Sequence, residues 1–230
     1  QWPMRHTCLP PGAVFSGHAE LYSDASLITI SPAQRPAARC LAMINCGNRS
    51  VSDPGEPITA NEIRLDHNGS LALITLQRPR ALNALTVAMR ESMAAWFPKF
   101  SRDPNVYAVA IRSAAAKAFS AGSDVREVTA LGRTGMQAAR KAFSDEYALN
   151  WRLECFSKPT VSLIDGVVMG GGVGISLYGT HRVAGESYRF AMPETKIGLF
   201  PDVGVAHALA RMPDEIGIYL VLTSRAVGRA

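Results

Sequence analysis

Closely paired cysteines are missing from this sequence. Cys8, Cys40, Cys46 and Cys155 stand apart, with no CxxC spacing. That argues against a zinc ribbon or a dithiol redox site, both of which need neighbouring thiolates. His6, His18, His67, His181 and His207 are equally unclustered. No metal site is expected, and a reducing compartment is the simplest setting. Long apolar runs are missing too. No stretch reaches the roughly 18 apolar residues of a membrane span, and the nearest, Thr160 to Val173, is broken by Asp165 and glycines. No membrane partner is expected. The net charge is +5, from 24 basic and 19 acidic residues, but the basic residues are scattered singly. Without a basic cluster and interleaved aromatics, a nucleic-acid partner fits worst. A small ligand carrying phosphates is compatible with the charge.

What is present suits one soluble globular domain. Hydrophobic residues make up 47% of 230, enough to bury a sizeable core. Residues 1–55 hold six prolines, from Pro3 to Pro54, and no sustained periodicity. They are expected to form an extended or disordered leader. Glu20 and Asp24 spoil the acid-poor pattern of a transit peptide. The folded core is expected over residues 56–230.

Within that core, Ile63 to Leu65 and Leu71 to Leu76 read as two strands around Asp66-His67-Asn68-Gly69. Leu85, Met89, Met93, Trp96, Phe97 and Phe100 recur at helical spacing, with Pro98 expected to kink or end that helix. A strand is predicted over 107–112, a long helix over 136–156, a strand over 160–164 and two short strands within 182–192. The chain from about Val203 reads as helical. Alternation of this kind predicts an α/β fold.

Two glycine-centred turns each follow a strand and precede a helix: Ala121-Gly122-Ser123-Asp124 and Gly170-Gly171-Gly172-Val173-Gly174. Backbone N–H groups at such starts suit an anion, although glycines also serve simply to turn the chain tightly. Neither Gly-x-Gly-x-x-Gly nor a phosphate-loop lysine is present. Two separate N–H-presenting turns are instead what a two-donor oxyanion hole requires. Glu194 and Asp202 lie among apolar and turn residues, where burial raises a carboxyl toward general-base range. Locally, either could equally be a helix cap, and Glu146 reads as a solvated or paired helix residue.

Taken together, Ile74 to Leu85, Lys117 to Asp124, Gly166 to Gly174 and Pro193 to Gly204 resemble the crotonase superfamily, in its motif order. The likeness covers roughly Ile63 to Ala230. It implies a crotonase-like spiral of ββα units, with closing C-terminal helices not present in this chain. It also implies an acyl-CoA substrate, no cofactor beyond the coenzyme A of that substrate, and homo-oligomers in the full-length form. Within the superfamily the pattern is most similar to the 3-hydroxyisobutyryl-CoA hydrolase family of valine catabolism. Hydratases of this superfamily carry a glutamate where Gly174 stands; the hydrolases carry an aspartate like Asp202 after a glutamate like Glu194. By resemblance, the N–H groups of Ser123 and Gly171 form an oxyanion hole and Glu194 is nucleophile or base. Asp202 holds water or its proton, and Glu146 lines the acyl pocket, accepting a hydrogen bond from a substrate hydroxyl. Arg78 to Leu82 and Ser123 to Val128 would flank the CoA nucleotide. Ser123 stands where Gly or Ala is usual, which the backbone role should tolerate. Val205 and Ala206 stand where glycines are expected. The implied compartment is the cytoplasm in a bacterium or the mitochondrial matrix in a eukaryote. A hydratase or isomerase of the same fold and a non-catalytic acyl-CoA-binding module remain alternatives.

Overall fold

The computed structural model describes residues 62–228; the expected leader, residues 1–55, lies outside them. Strands β1 (Ile63–Asn68) and β2 (Leu71–Leu76) form an antiparallel hairpin. Its turn falls just after the predicted one, because β1 runs on through Asn68 and the chain reverses at Gly69, φ 58°. Every residue of β2 is buried, as expected of a strand covered on both faces. Beyond β2, strands β3 (Ala108–Ser113), β5 (Thr160–Ile164) and β7 (His181–Ala184) continue the sheet in parallel, in the order β1-β2-β3-β5-β7. A smaller sheet holds β4 (Ala118–Ser120), β6 (Val167–Met169) and β8 (Arg189–Ala191) in parallel, with β9 (Val227–Gly228) antiparallel at the edge. After the β1–β2 hairpin, each circuit of the chain therefore lays one strand in the large sheet and one in the small. The helical α1 (Val87–Arg102), α2 (Val125–Thr134), α3 (Met136–Glu154) and α4 (Gly171–Leu177) cover them. This is the α/β spiral of ββα units that the sequence predicts.

Helix α1 starts at Thr86, whose side chain accepts from the Met89 N–H, an N-cap. It buries Met89, Met93, Trp96, Phe97 and Phe100, the predicted apolar stripe. Pro98 neither ends nor interrupts it, contrary to expectation. A proline removes the donor to the carbonyl four residues back, here that of Ala94, and Arg152 of α3 supplies a replacement, Nη1 to O at 3.3 Å. The C-terminal stretch is helical in two pieces, α5 (Val205–Leu209) and α6 (Ile216–Thr223), separated by a turn at Pro213–Glu215.

The Ala81-Leu82-Asn83-Ala84-Leu85 motif proves to be a brace. Asn83 is fully buried and its Nδ2 donates to Ser113 Oγ at 2.7 Å and Phe119 O at 3.1 Å. Its Oδ1 accepts from the Arg78 N–H at 2.7 Å. One side chain thus ties this loop to β3 and β4, just before the first glycine turn.

In the core Phe97 is 2% exposed and meets Phe156 edge-on, ring centroids 5.0 Å apart. Phe97→Ala should lower stability by about 3–5 kcal/mol, read as a drop in the urea midpoint. A change below about 1 kcal/mol would show that this contact is not central to the core.

Candidate functional site

The three parallel strands of the small sheet end side by side. After β4 comes Ala121-Gly122-Ser123-Asp124, after β6 comes Gly170 and the start of α4, and after β8 come Met192, Pro193 and Glu194. C-terminal ends of parallel strands are where α/β proteins place ligands. Ser123, Gly171 and Glu194 are brought together by this pairing alone.

The first turn is pinned to Leu85, whose N–H donates to Gly122 O (2.7 Å) and whose carbonyl accepts from the Asp124 N–H (2.9 Å). Such a parallel bridge directs the N–H of the intervening residue, Ser123, the other way. Gly171 opens α4, so its N–H is among those with no acceptor inside the helix. A Cβ on Gly171 would lie 3.2 Å from the Ser123 nitrogen. The two N–H groups are therefore neighbours.

Glycine is required at both positions where α4 begins. Gly170 has φ 47° and ψ −124°, outside the reach of other residues, and a Cβ on it would stand 2.8 Å from Glu194 Oε1. On Gly171 a Cβ would stand 2.3 Å from Glu146 Oε1 and 2.5 Å from Ser123 Oγ. The absent side chains let two carboxylates approach the turn.

Glu146 is not a solvated helix residue: it is paired, and 2% exposed. Arg90 of α1 donates through Nη1 to its Oε2 at 2.7 Å and to Ser123 Oγ at 3.0 Å. Ser123 Oγ in turn donates to Glu146 Oε1 at 2.6 Å. The sequence reading gave the Ser123 side chain no task; the structure gives it two hydrogen bonds. Burial raises the Glu146 carboxyl above its ordinary value, opposed by Arg90 and Ser123. Arg90 itself, 2% exposed, is the residue that the sequence reading missed. Positions 90, 93 and 97 share one face of α1, so an arginine on the core stripe was the available signal.

Glu194 is 8% exposed, and its Oε2 has no hydrogen-bond partner among the described residues. Burial pushes its carboxyl up to about 7, opposed by its own backbone N–H and helped by the charges of Asp202 and Glu146. Asp202 is not a helix cap: the residue before α5 is Gly204. The Asp202 Oδ2 instead accepts from the Tyr147 hydroxyl at 2.8 Å. Burial first, then that hydrogen bond, holds Tyr147 well above its ordinary pKa, as a proton donor. The adjacent Val203 has φ 47°, a strained conformation for a β-branched residue. The Tyr178 hydroxyl donates to its carbonyl. A groove of about 350 Å³ beside Asp202 is lined by Tyr147, Asn150, Trp151, Glu154, Tyr178 and Val203.

Arg78 joins its segment to the Ser123 turn, through ion pairs with Asp124 (2.6 Å) and Glu62 (2.9 Å). Its charge is already partnered. Among the described residues no group of three or more His, Cys, Asp or Glu is placed to hold a metal ion, and no helix is long and apolar enough to cross a membrane.

Residues 71–230 match the model of the enoyl-CoA hydratase/isomerase family. The chain belongs to that family. It is 48% identical over 162 residues to a protein named 3-hydroxyisobutyryl-CoA hydrolase, mitochondrial, of Xenopus tropicalis, covering 70% of this chain and 42% of the relative. With the Danio rerio protein of the same name the identity is 41% over 198 residues, 86% and 50% of the two chains. A solved enoyl-CoA hydratase from Rhodobacter sphaeroides 2.4.1 superposes with a TM-score of 0.71 at 41% identity, over 73% of this chain and 50% of that one. A carnitinyl-CoA dehydratase from Mycobacterium thermoresistibile gives 0.71 at 36%, over 73% and 49%. The chain spans half or less of the length of these relatives. Family and fold bear out the resemblance to the crotonase superfamily.

The raised Glu194 carboxyl has a consequence for stability. Its folded value, about 7, lies above the ordinary 4.5, so between these pH values the folded state binds the extra proton. Stability therefore falls as pH rises from about 4.5 and levels off above about 7. Glu194→Gln should remove this loss, melting higher than wild type at pH 8 by the equivalent of about 1–2 kcal/mol after allowance for solvent screening. The gap should close toward pH 5. Thermal melts of both proteins at the two pH values check this; a gap that does not change with pH refutes it.

Proposed function

We propose that this chain carries the active centre of an acyl-CoA thioester hydrolase acting on a short branched 3-hydroxyacyl group, 3-hydroxyisobutyryl-CoA, in valine catabolism. The observation that carries the choice of reaction is Gly174. Hydration across a double bond is served by two carboxylates that position and activate water. At position 174 a Cβ alone would lie 2.9 Å from Asn150 Nδ2, 3.0 Å from Asn150 Oδ1 and 3.1 Å from Val203 Cβ. There is no room for a second glutamate there.

The remaining groups suit thioester cleavage. The neighbouring N–H groups of Ser123 and Gly171 would hold the thioester oxygen and stabilise it as charge develops. Glu194, near pH 7, is present in part as carboxylate and can take a proton from water or attack the carbonyl itself. On the direct route the water oxygen bonds to the acyl carbon and its proton passes to Glu194. The carbon–sulfur bond then breaks, and the proton leaves with the CoA thiol. Asp202, fixed by Tyr147, would hold the water. Glu146 would line the acyl pocket.

A second reading is favoured by the solved neighbours named hydratase and dehydratase: the same site, with Glu194 as sole base, acting on an enoyl-CoA. Thiol release separates the two. The intact protein should liberate CoA from 3-hydroxyisobutyryl-CoA and leave crotonyl-CoA unhydrated; the reverse result would overturn the hydrolase. Glu194→Gln should lower kcat about 10²–10⁴-fold under either reading. Asp202→Asn should be comparably severe only for hydrolysis, and undiminished thiol release in that variant would remove Asp202 from the mechanism.

A further inference from the structure

Asn150 is 6% exposed, and neither its Oδ1 nor its Nδ2 has a hydrogen-bond partner among the described residues. Buried polar groups are seldom left so. Asn150 lines the groove beside Asp202, among Tyr147, Trp151, Glu154, Tyr178 and Val203. It also abuts Gly174 of α4, close enough that a Cβ there would meet both amide atoms. An unpaired donor and acceptor thus lie together in an otherwise largely apolar and aromatic wall.

We propose that Asn150 reads the hydroxyl of the acyl group, making it the residue that selects 3-hydroxyacyl over plain acyl thioesters. This rests on the hydrolase reading and deepens it. A hydroxyl both donates and accepts, and a carboxamide answers with one of each. The carboxylate of Glu146 and the hydroxyls of Tyr147 and Tyr178 already hold partners. Glu146 Oε1 accepts from Ser123 and Oε2 from Arg90. The Tyr147 hydroxyl donates to Asp202, and the Tyr178 hydroxyl to the Val203 carbonyl. Distance agrees as well. Gly174 lies three residues along α4 from Gly171, about 4.5 Å of rise. With the thioester oxygen at Gly171, a hydroxyl on the third acyl carbon and one hydrogen bond of about 3 Å span that gap. Glu146 then shapes the turn through Ser123, and the hydroxyl contact falls to Asn150.

The test uses the intact protein and non-cleavable thioether analogues of 3-hydroxyisobutyryl-CoA and isobutyryl-CoA, with binding measured by calorimetry. Wild type should bind the hydroxylated analogue at least about tenfold more tightly. Asn150→Leu, of similar volume, should lose that preference while holding the plain analogue within about threefold. Asn150→Asp, with the same shape but no donor when ionised, should also lose it, which guards against a folding defect in the first variant. Equal wild-type affinities, a preference that survives both substitutions, or equal weakening toward both analogues would overturn the assignment. Thiol release is scored separately. A preference abolished by the substitutions in a protein that frees no thiol would keep the contact and sink the hydrolase.

Discussion

Val167 and Val168 of β6 pair with Ala118 and Ser120 of β4 on one side and with Arg189 and Phe190 of β8 on the other. All three strands run the same way, so their C-terminal ends open onto one surface. Three remote segments deliver their turns there, the first of them also pinned to Leu85. The Ser123 N–H, the start of α4 and Glu194 owe their meeting to a three-stranded ladder of two or three residues per strand. That ladder is in turn held by the large sheet, whose strands alternate with it along the chain. Asn83 adds the remaining brace, fastening the loop before α1 to β3 and β4.

A site so assembled concentrates negative charge. Glu146 feels the charge of Asp202, and Glu194 feels those of Asp202 and Glu146, each of which disfavours a further anion. How the repulsion is shared depends on partners. Glu146 has a buried guanidinium and a serine hydroxyl, and Asp202 has the Tyr147 hydroxyl. Burial first of all pushes Glu194 up to about 7, and its Oε2 has no partner among the described residues to oppose it. The Arg90 pair opposes the desolvation of Glu146 without cancelling it, the usual balance for a buried ion pair. It fixes one carboxyl in place beside another that is poised to exchange a proton.

Much of this was legible in the sequence, and the rest was hidden for identifiable reasons. Strand and helix order followed from periodicity, and the two glycine turns from their positions between strand and helix. Pro98 misled because a proline rule sees only its own helix, and the donor that rescues Ala94 comes from Arg152, 58 residues away. Arg90 sat on the core stripe of α1, but an isolated charge reads as a stem lying along the surface until its partner is known. Glu146 lies 56 residues further on, beyond any local pattern. Asp202 could pass for a cap because Tyr147, which occupies its carboxylate, belongs to a different helix.

Gly174 shows how one small residue can set the contacts around it. Its place on α4 brings Asn150 of α3 and Val203 against the helix, and Val203 meets it only by adopting φ 47°. Strain of this kind in a β-branched residue persists where its surroundings over-determine it. Here the Tyr178 hydroxyl holds the Val203 carbonyl, and a Cβ on Gly204 would collide with that same hydroxyl, 2.2 Å away. The strained bend also carries Asp202, the residue before it, to the Tyr147 hydroxyl. A side chain at 174 would push Val203 back and release both contacts. A bare position 174 and the placing of Asp202 against Tyr147 are therefore linked through Val203. Under the proposed reaction, that coupling gives the scaffold a water-holding aspartate in exchange for the second glutamate of a hydratase.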